Sequence, residues 1–183
     1  MVFPNLSKND KIVVINGNYS TIIDKEDYDK VMNACTWFTT KTKDLIYVEG
    51  RASQFTDKWN RKKKISLHRF LLNLDLNDKV IIDHKNGITL DNRKQNLRMC
   101  TVSENGQNSK LMSHNTSGFK GVSWNKHSKK WEARIMTTLK NGTKYRPLIG
   151  SFDDPMLGAI AYDKAALKYF GKFARTNKML GLL

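Results

Sequence analysis

Apolar residues in this chain come in short runs, and that limits what it can fold into. Near the start the longest is Ile12-Val13-Val14-Ile15, and no run approaches the roughly 18–20 apolar residues that span a membrane. Such runs suit small strands and short helices broken by turns. Residues 12–15 and 19–23 flank Asn16-Gly17-Asn18, a hairpin signal. Asp24 then opens a charged helical stretch over 24–34, with Tyr28, Val31 and Met32 at helical spacing, and 45–51 reads as a further strand. The length of 183 residues allows one domain or two small ones. No secretory pattern opens the sequence, and Cys35 and Cys100 are the only thiols. A secreted disulfide scaffold is therefore excluded, and a reducing cytoplasm is the expected setting.

Charge divides the chain more sharply than hydropathy does. Residues 1–57 hold 7 Lys/Arg against 8 Asp/Glu, residues 58–117 hold 12 against 5, and residues 118–177 hold 12 against 4. The net charge of +15 thus lies in the last two thirds. An excess of this size favours a polyanion, with nucleic acid the commonest, over a mere solubility charge. No basic amphipathic helix with a broad apolar face supports a membrane-surface role.

The C-terminal block, 118–177, follows a polar linker over 109–117. Strand patterns fall at 121–124, 130–137 and 144–151, joined by 125–129 and by Lys140-Asn141-Gly142-Thr143. In the second, Trp131, Ala133 and Ile135 alternate with Glu132, Arg134 and Met136. Pro155 begins a helix that runs to Phe170 and stops at Gly171, and its alanines (159, 161, 165, 166) let it lie close to a sheet. Gly118–Gly121-Val122, Trp131-Glu132-Ala133-Arg134-Ile135, Ile149-Gly150-Ser151-Phe152, the stretch 161–166 and Thr176-Asn177 together resemble the apetala-two/ethylene-response-factor (ERF) DNA-binding domain. The resemblance implies a three-stranded antiparallel sheet packed on one helix, its outer face laid in the DNA major groove. It also places DNA contacts at Lys120, Ser123, Asn125, Arg134, Met136 and Arg146. Ser123, Asn125 and Met136 depart from the plant pattern, so the plant target does not carry over.

The middle block, 58–108, holds residue types suited to phosphodiester chemistry. Lys79-Val80-Ile81-Ile82 leads into Asp83-His84, a turn-rich loop follows over 85–92, and Asn96–Cys100 can form a second strand. Thr101-Val102-Ser103-Glu104 has the spacing of a capping box, opening a short helix that carries Asn105. A histidine near neutral pKa can deprotonate water, and an amide oxygen can hold its second nitrogen. A carboxylate and an amide oxygen suit a hard divalent cation. Leu67-His68-Arg69, Val80–Asp83-His84-Lys85-Asn86-Gly87, Asp91-Asn92-Arg93-Lys94-Gln95-Asn96-Leu97-Arg98 and Glu104-Asn105 resemble HNH endonucleases of the phage and intron homing type. That likeness implies a ββα-metal core of the H-N-N variant. In it His84 is the general base, Asn96 orients it, and Asp83 with Asn105 binds the metal, Mg²⁺ with Mn²⁺ as the alternative. His68 reads as packing or hydrogen-bonding support near the site. Arg93 and Arg98 read either as phosphate contacts or as internal ion pairs, and Arg61-Lys62-Lys63-Lys64 either as a solvated edge or as a phosphate contact. His114 and His127 receive no role.

The expected architecture is α+β: an α/β extension (1–57), the ββα-metal nuclease core (58–108), the linker (109–117) and the ERF-like domain (118–177). The expected activity is hydrolysis of double-stranded DNA, a monomer cutting one strand. The competing expectations are a sequence-specific DNA-binding regulator with an inactive nuclease remnant, and an RNA-processing protein. The latter lacks the aromatic stacking signatures of single-strand readers.

Overall fold

The computed structural model describes residues 3, 6–43, 45–51, 63–75, 77–138 and 142–183. Arg61 and Lys62 of the basic run, and Lys140 and Asn141 of the expected turn, lie outside them. The fold class is α+β, with small antiparallel sheets and few helices. No helix among the described residues is long and apolar enough to cross a membrane. Two compact units divide between Cys100 and Thr101, whereas the sequence places the change at 109–117.

In the N-terminal unit, β1 (Asp10–Ile15) and β2 (Tyr19–Asp24) form the expected hairpin. Asn16 and Gly17 take φ of 54° and 71°, the left-handed region in which Asn and Gly meet the least strain. A 3₁₀ turn over Lys25–Asp27 then leads into α1 (Tyr28–Ala34). Val31 is fully buried, but Met32 is exposed, so the apolar face of α1 is narrower than its spacing suggests. Asp24 makes no side-chain cap; its carboxylate accepts the Lys94 backbone N–H at 2.7 Å. Next come β3 (Trp37–Thr42), a threonine-rich strand the apolar pattern does not reveal, and β4 (Leu45–Gly50). These pair with β5 (Ile65–Ser66), which runs directly into α2 (Leu67–Leu71). A second hairpin joins β6 (Ile81–His84) to β7 (Leu97–Cys100). Ile22, Ile23, Val31, Trp37, Ile65, Leu67, Leu71 and Leu90 belong to one core, so the first 50 residues and the second hairpin share a single interior.

The C-terminal unit opens with α3 (Val102–Gln107). Its capping box is complete: the Thr101 hydroxyl accepts the Glu104 N–H, and the Glu104 carboxylate accepts the Thr101 N–H. Strands β8 (Val122–Asn125) and β9 (Lys130–Arg134) follow. The short pair β10 (Thr137–Thr138) and β11 (Lys144–Tyr145) precedes β12 (Leu148–Phe152). The main sheet runs β12-β9-β8, all antiparallel. Two of the three expected strands are interrupted. Pro147 has no N–H to donate to a ladder, and its carbonyl accepts the Ile135 N–H at 3.3 Å at the gap between β9 and β10. Helix α4 (Pro155–Phe170) matches its expected limits, with Asp154 accepting the Met156 N–H at its start and Gly171 at its end. Ala159 and Ala166 are fully buried, and Tyr162, Ala166 and Phe170 pack with Ile135.

The segment 109–117 is fastened rather than loose. Ser117 Oγ donates to the Val122 carbonyl at 2.9 Å, and Asn115 Nδ2 to the Phe119 carbonyl at 2.9 Å. These bonds, with those of Lys120 described below, group α3 and the expected linker with the C-terminal sheet.

Gly121 lies against the ring of Tyr162 at φ +80°, where an added Cβ would fall 2.0 Å from a ring carbon. Left-handed strain of about 1–2 kcal/mol and overpacking of about 1–3 kcal/mol add there. Gly121→Ala should therefore lose about 2–5 kcal/mol of stability, read as a lower denaturation midpoint of the C-terminal unit.

Candidate active site

Asp83 and His84 end β6, and both are buried, at 7% and 5% exposure. The hairpin register sets Asp83 opposite Arg98 and His84 opposite Leu97. Arg98 donates to Asp83 Oδ2 through Nε at 2.8 Å and Nη2 at 2.6 Å. Of the two readings of Arg98, the structure shows the internal pair.

The His84 imidazole meets Asn92: Nε2 lies 3.2 Å from Asn92 Oδ1. The neighbouring bonds fix which ring nitrogen carries hydrogen. The Thr21 hydroxyl donates to the Leu90 carbonyl at 2.8 Å, so it accepts from Asn92 Nδ2, also at 2.8 Å. That turns the amide oxygen of Asn92 toward the histidine, where it accepts Nε2–H and leaves the basic lone pair on Nδ1. The orienting amide is therefore Asn92, not Asn96. Asn96 is buried in the turn, its oxygen accepting the Asn86 N–H at 3.0 Å and its Nδ2 donating to the Asp91 carbonyl at 2.7 Å. It shapes the loop that carries Asn92.

That loop is braced by the first hairpin. Ile22 N–H donates to the Leu90 carbonyl at 2.9 Å, and Asn92 N–H donates to the Ile22 carbonyl at 2.8 Å. Arg93 is buried, its guanidinium donating to Asp91 (2.7 and 2.8 Å) and to Asp10 (3.0 Å). It is a structural cation and no phosphate contact.

His68, from α2, stands edge-on to His84 with ring centroids 5.4 Å apart, and Tyr47 of β4 lies within 6.5 Å of both rings. His68 and Tyr47 thus both stand beside the His84 ring, Tyr47 being a neighbour the sequence reading does not name. Burial, with the neighbouring His84 and Arg69, pushes the His68 imidazole down to about 3. Burial also lowers His84, opposed by its bond to Asn92 and by Asp83 and Asp91. Both rings are neutral near pH 7, the form in which histidine accepts a proton. Tyr47 is held in its phenol form by burial and by the Asp83 charge.

No group of three or more His, Cys, Asp or Glu is gathered for a metal among the described residues. The expected donor set is instead a carboxylate and an amide, oxygen ligands of the kind Mg²⁺ takes while keeping several waters. Asp83 supplies the carboxylate from the N-terminal unit. Asn105 is exposed on α3, within the C-terminal unit.

The residues the ERF resemblance assigns to DNA differ in what they do. Lys120 is turned inward: its ammonium donates to the carbonyls of Ser109 (2.7 Å), Gln107 (3.0 Å) and Arg175 (3.2 Å). Burial and Arg175 lower it to about 8. Three donors on three carbonyls leave none for a phosphate, so Lys120 is a fastening and not a contact. Asn125 closes the β8–β9 turn, accepting the His127 and Ser128 N–H groups and donating to Glu132. Arg134 is half-buried and pairs with Glu132 at 2.9 Å. Ser123, Met136 and Arg146 are exposed.

Asn92 and Asp91 lie within the HNH-like motif, yet nothing in the local sequence assigns either a role. Thr21 stands 71 positions from Asn92, and no local pattern marks it.

Residues 75–107 match the family model described as HNH endonuclease, a span that holds Asp83, His84, Asn92, Asn96 and Asn105. Protein 3.8 of Escherichia phage T7 is 41% identical over 54 residues, covering 30% of this chain and 45% of that protein. An uncharacterized HNH endonuclease, L560, of Acanthamoeba polyphaga mimivirus is 30% identical over 120 residues, covering 63% of this chain and 59% of that protein. The matches thus span about half the length of these curated relatives. The likeness to HNH endonucleases thus falls on residues 75–107 of this chain.

The His68 shift has a definite sign. Its folded value of about 3 lies below the unfolded 6.5, so the unfolded chain binds the proton first. Stability is full above pH 6.5 and is lost as pH falls toward 3. Between pH 7 and 4.5 the wild type should lose about 2–3 kcal/mol relative to His68→Gln, read from urea midpoints of both proteins across that range.

Proposed function

We propose that this chain is a metal-dependent HNH DNA endonuclease of the homing type, hydrolysing phosphodiester bonds in double-stranded DNA and targeted by its C-terminal unit. The observation that carries this reading is the buried, neutral His84, fixed through Asn92 beside the Asp83 carboxylate. Nδ1 takes a proton from water as the oxygen attacks phosphorus. Asn92 Oδ1, at Nε2–H, steadies the imidazolium that forms, and the Asp83 and Asp91 charges favour it. Asp83 would hold the divalent cation, Mg²⁺ with Mn²⁺ as the alternative, which when bound would neutralise charge growing on the phosphoryl and leaving oxygens. The Arg98 pair holds the Asp83 carboxylate in place. In this reading the sheet of the C-terminal unit lies in the major groove, with Ser123, Arg134, Met136 and Arg146 as the contacts retained from the resemblance. One centre cuts one strand, so a monomer nicks.

The Asp83–Arg98 ion pair favours one other reading, a DNA-binding regulator whose nuclease remnant is inactive, because the arginine already neutralises the metal-binding carboxylate. Nicking of supercoiled plasmid with Mg²⁺ or Mn²⁺ separates the two. The wild type should nick, and chelator should stop it. His84→Ala should lower the rate at least 10²–10⁴-fold with DNA affinity retained, and Asp83→Ala should do the same. Wild-type nicking by His84→Ala would refute the base, and no nicking by the wild type would establish the remnant.

A further inference from the structure

A cleft of about 920 Å³ opens within the C-terminal unit, lined entirely by residues from 102 to 170. One wall is the sheet side, with Ser123, Arg134, Met136 and, from β11 and the residue after it, Lys144 and Arg146. The other is α3 and the segment after it, with Lys110, Met112 and His114. Five of the lining side chains are Lys or Arg, and none is acidic.

From this we infer that the cleft is a clamp for one sugar-phosphate strand of duplex DNA, closed on its second side by Lys110 and His114. The inference rests on the DNA-targeting role proposed above and adds to it a wall and two contacts, Lys110 and Lys144. Three observations carry it.

The first is charge. Lys110, Lys144 and Arg146 are exposed and have no acidic partner among the described residues. Of the other cations on the unit, Lys130 pairs with Asp153 away from the cleft, and Arg134 on the cleft wall pairs with Glu132. Unpaired cations facing one another across an acid-free cleft repel, and a polyanion between them removes the repulsion. The second is size. About 920 Å³ is the volume of a small-ligand pocket and far less than a duplex segment fills, so one strand enters and a whole duplex does not. Exposed Met112, Met136 and Val102 offer apolar surface to deoxyribose, while the longer cations reach phosphate. The third is how the second wall is held. The inward-turned Lys120 ties the carbonyls of Gln107 and Ser109 to that of Arg175, fixing the chain next to Lys110. The sheet's outer side is therefore one face of a preformed cleft.

The test is the salt dependence of binding by the full chain to a short duplex of mixed sequence, followed by fluorescence anisotropy between about 50 and 200 mM salt. Each phosphate contact adds about 0.9 to the slope of log K against log salt. Lys110→Ala and Lys144→Ala should each flatten that slope by about 0.9, and the double variant by about 1.8. If Arg146→Ala flattens the slope while Lys110→Ala and Lys144→Ala leave it intact, the clamp is refuted and the sheet reading stands. If all three leave it intact, the C-terminal unit does not hold DNA, and the targeting role falls with the clamp. A structured RNA that displaces the duplex at lower phosphate concentration overturns DNA as the occupant.

Discussion

The candidate site depends on a buried guanidinium. Arg93 lies between Asp91, two positions away, and Asp10, on the first strand of the chain, with its side chain 8% exposed. Three ionised groups removed from water are tolerated only because they satisfy one another, and removing one partner from such a set typically costs about 3–5 kcal/mol. Their geometry fixes the loop between β6 and β7. Once Asp91 and Arg93 are held, Asn92 between them has one direction left for its side chain, into the space occupied by Thr21 and His84. The first hairpin is thus the back wall of the site, contributing Asp10, Thr21, Ile22 and Asp24 to the loop's support.

Electrostatics then divides labour between the two units. In the C-terminal unit, from Thr101 onward, 14 Lys/Arg stand against 5 Asp/Glu. Four of the five acids there are occupied in holding the fold, and the fifth, Asp153, meets Lys130 at the surface. Asp163 accepts the Asn177 and Lys178 N–H groups, Asp154 caps α4, Glu104 closes the capping box and Glu132 holds Asn125 and Arg134. With the anions committed to internal bonds, the surplus cations face solvent. In the N-terminal unit, where 18 Lys/Arg stand against 12 Asp/Glu, acids and bases pair inward around His84, Arg98 with Asp83 and Arg93 with Asp91.

What the sequence shows of this is whatever is local. Asn16-Gly17 as a turn, the capping box at Thr101, the span of α4 and the Asp83-His84 doublet ending a strand each follow from a few adjacent residues. Features set by distant partners stay hidden. Asn92 and Asn96 have equal chemistry, and only the loop's path, fixed by Ile22 and Arg93, decides which of them meets the histidine. Lys120 reads as a surface cation until three carbonyls from separate segments are seen around it. Pro147 breaks a strand that alternation alone would continue, and β3 has too few apolar residues to mark it.

The central claim is that Asn92 holds a neutral His84 in the orientation needed to accept a proton from water. Single-turnover strand cleavage by Asn92→Ala tests it most directly, with thermal melting to verify that the variant is folded. The account predicts a folded protein that binds duplex DNA as the wild type does and cleaves it about 10²–10³-fold more slowly. A folded Asn92→Ala that cleaves at the wild-type rate would contradict it.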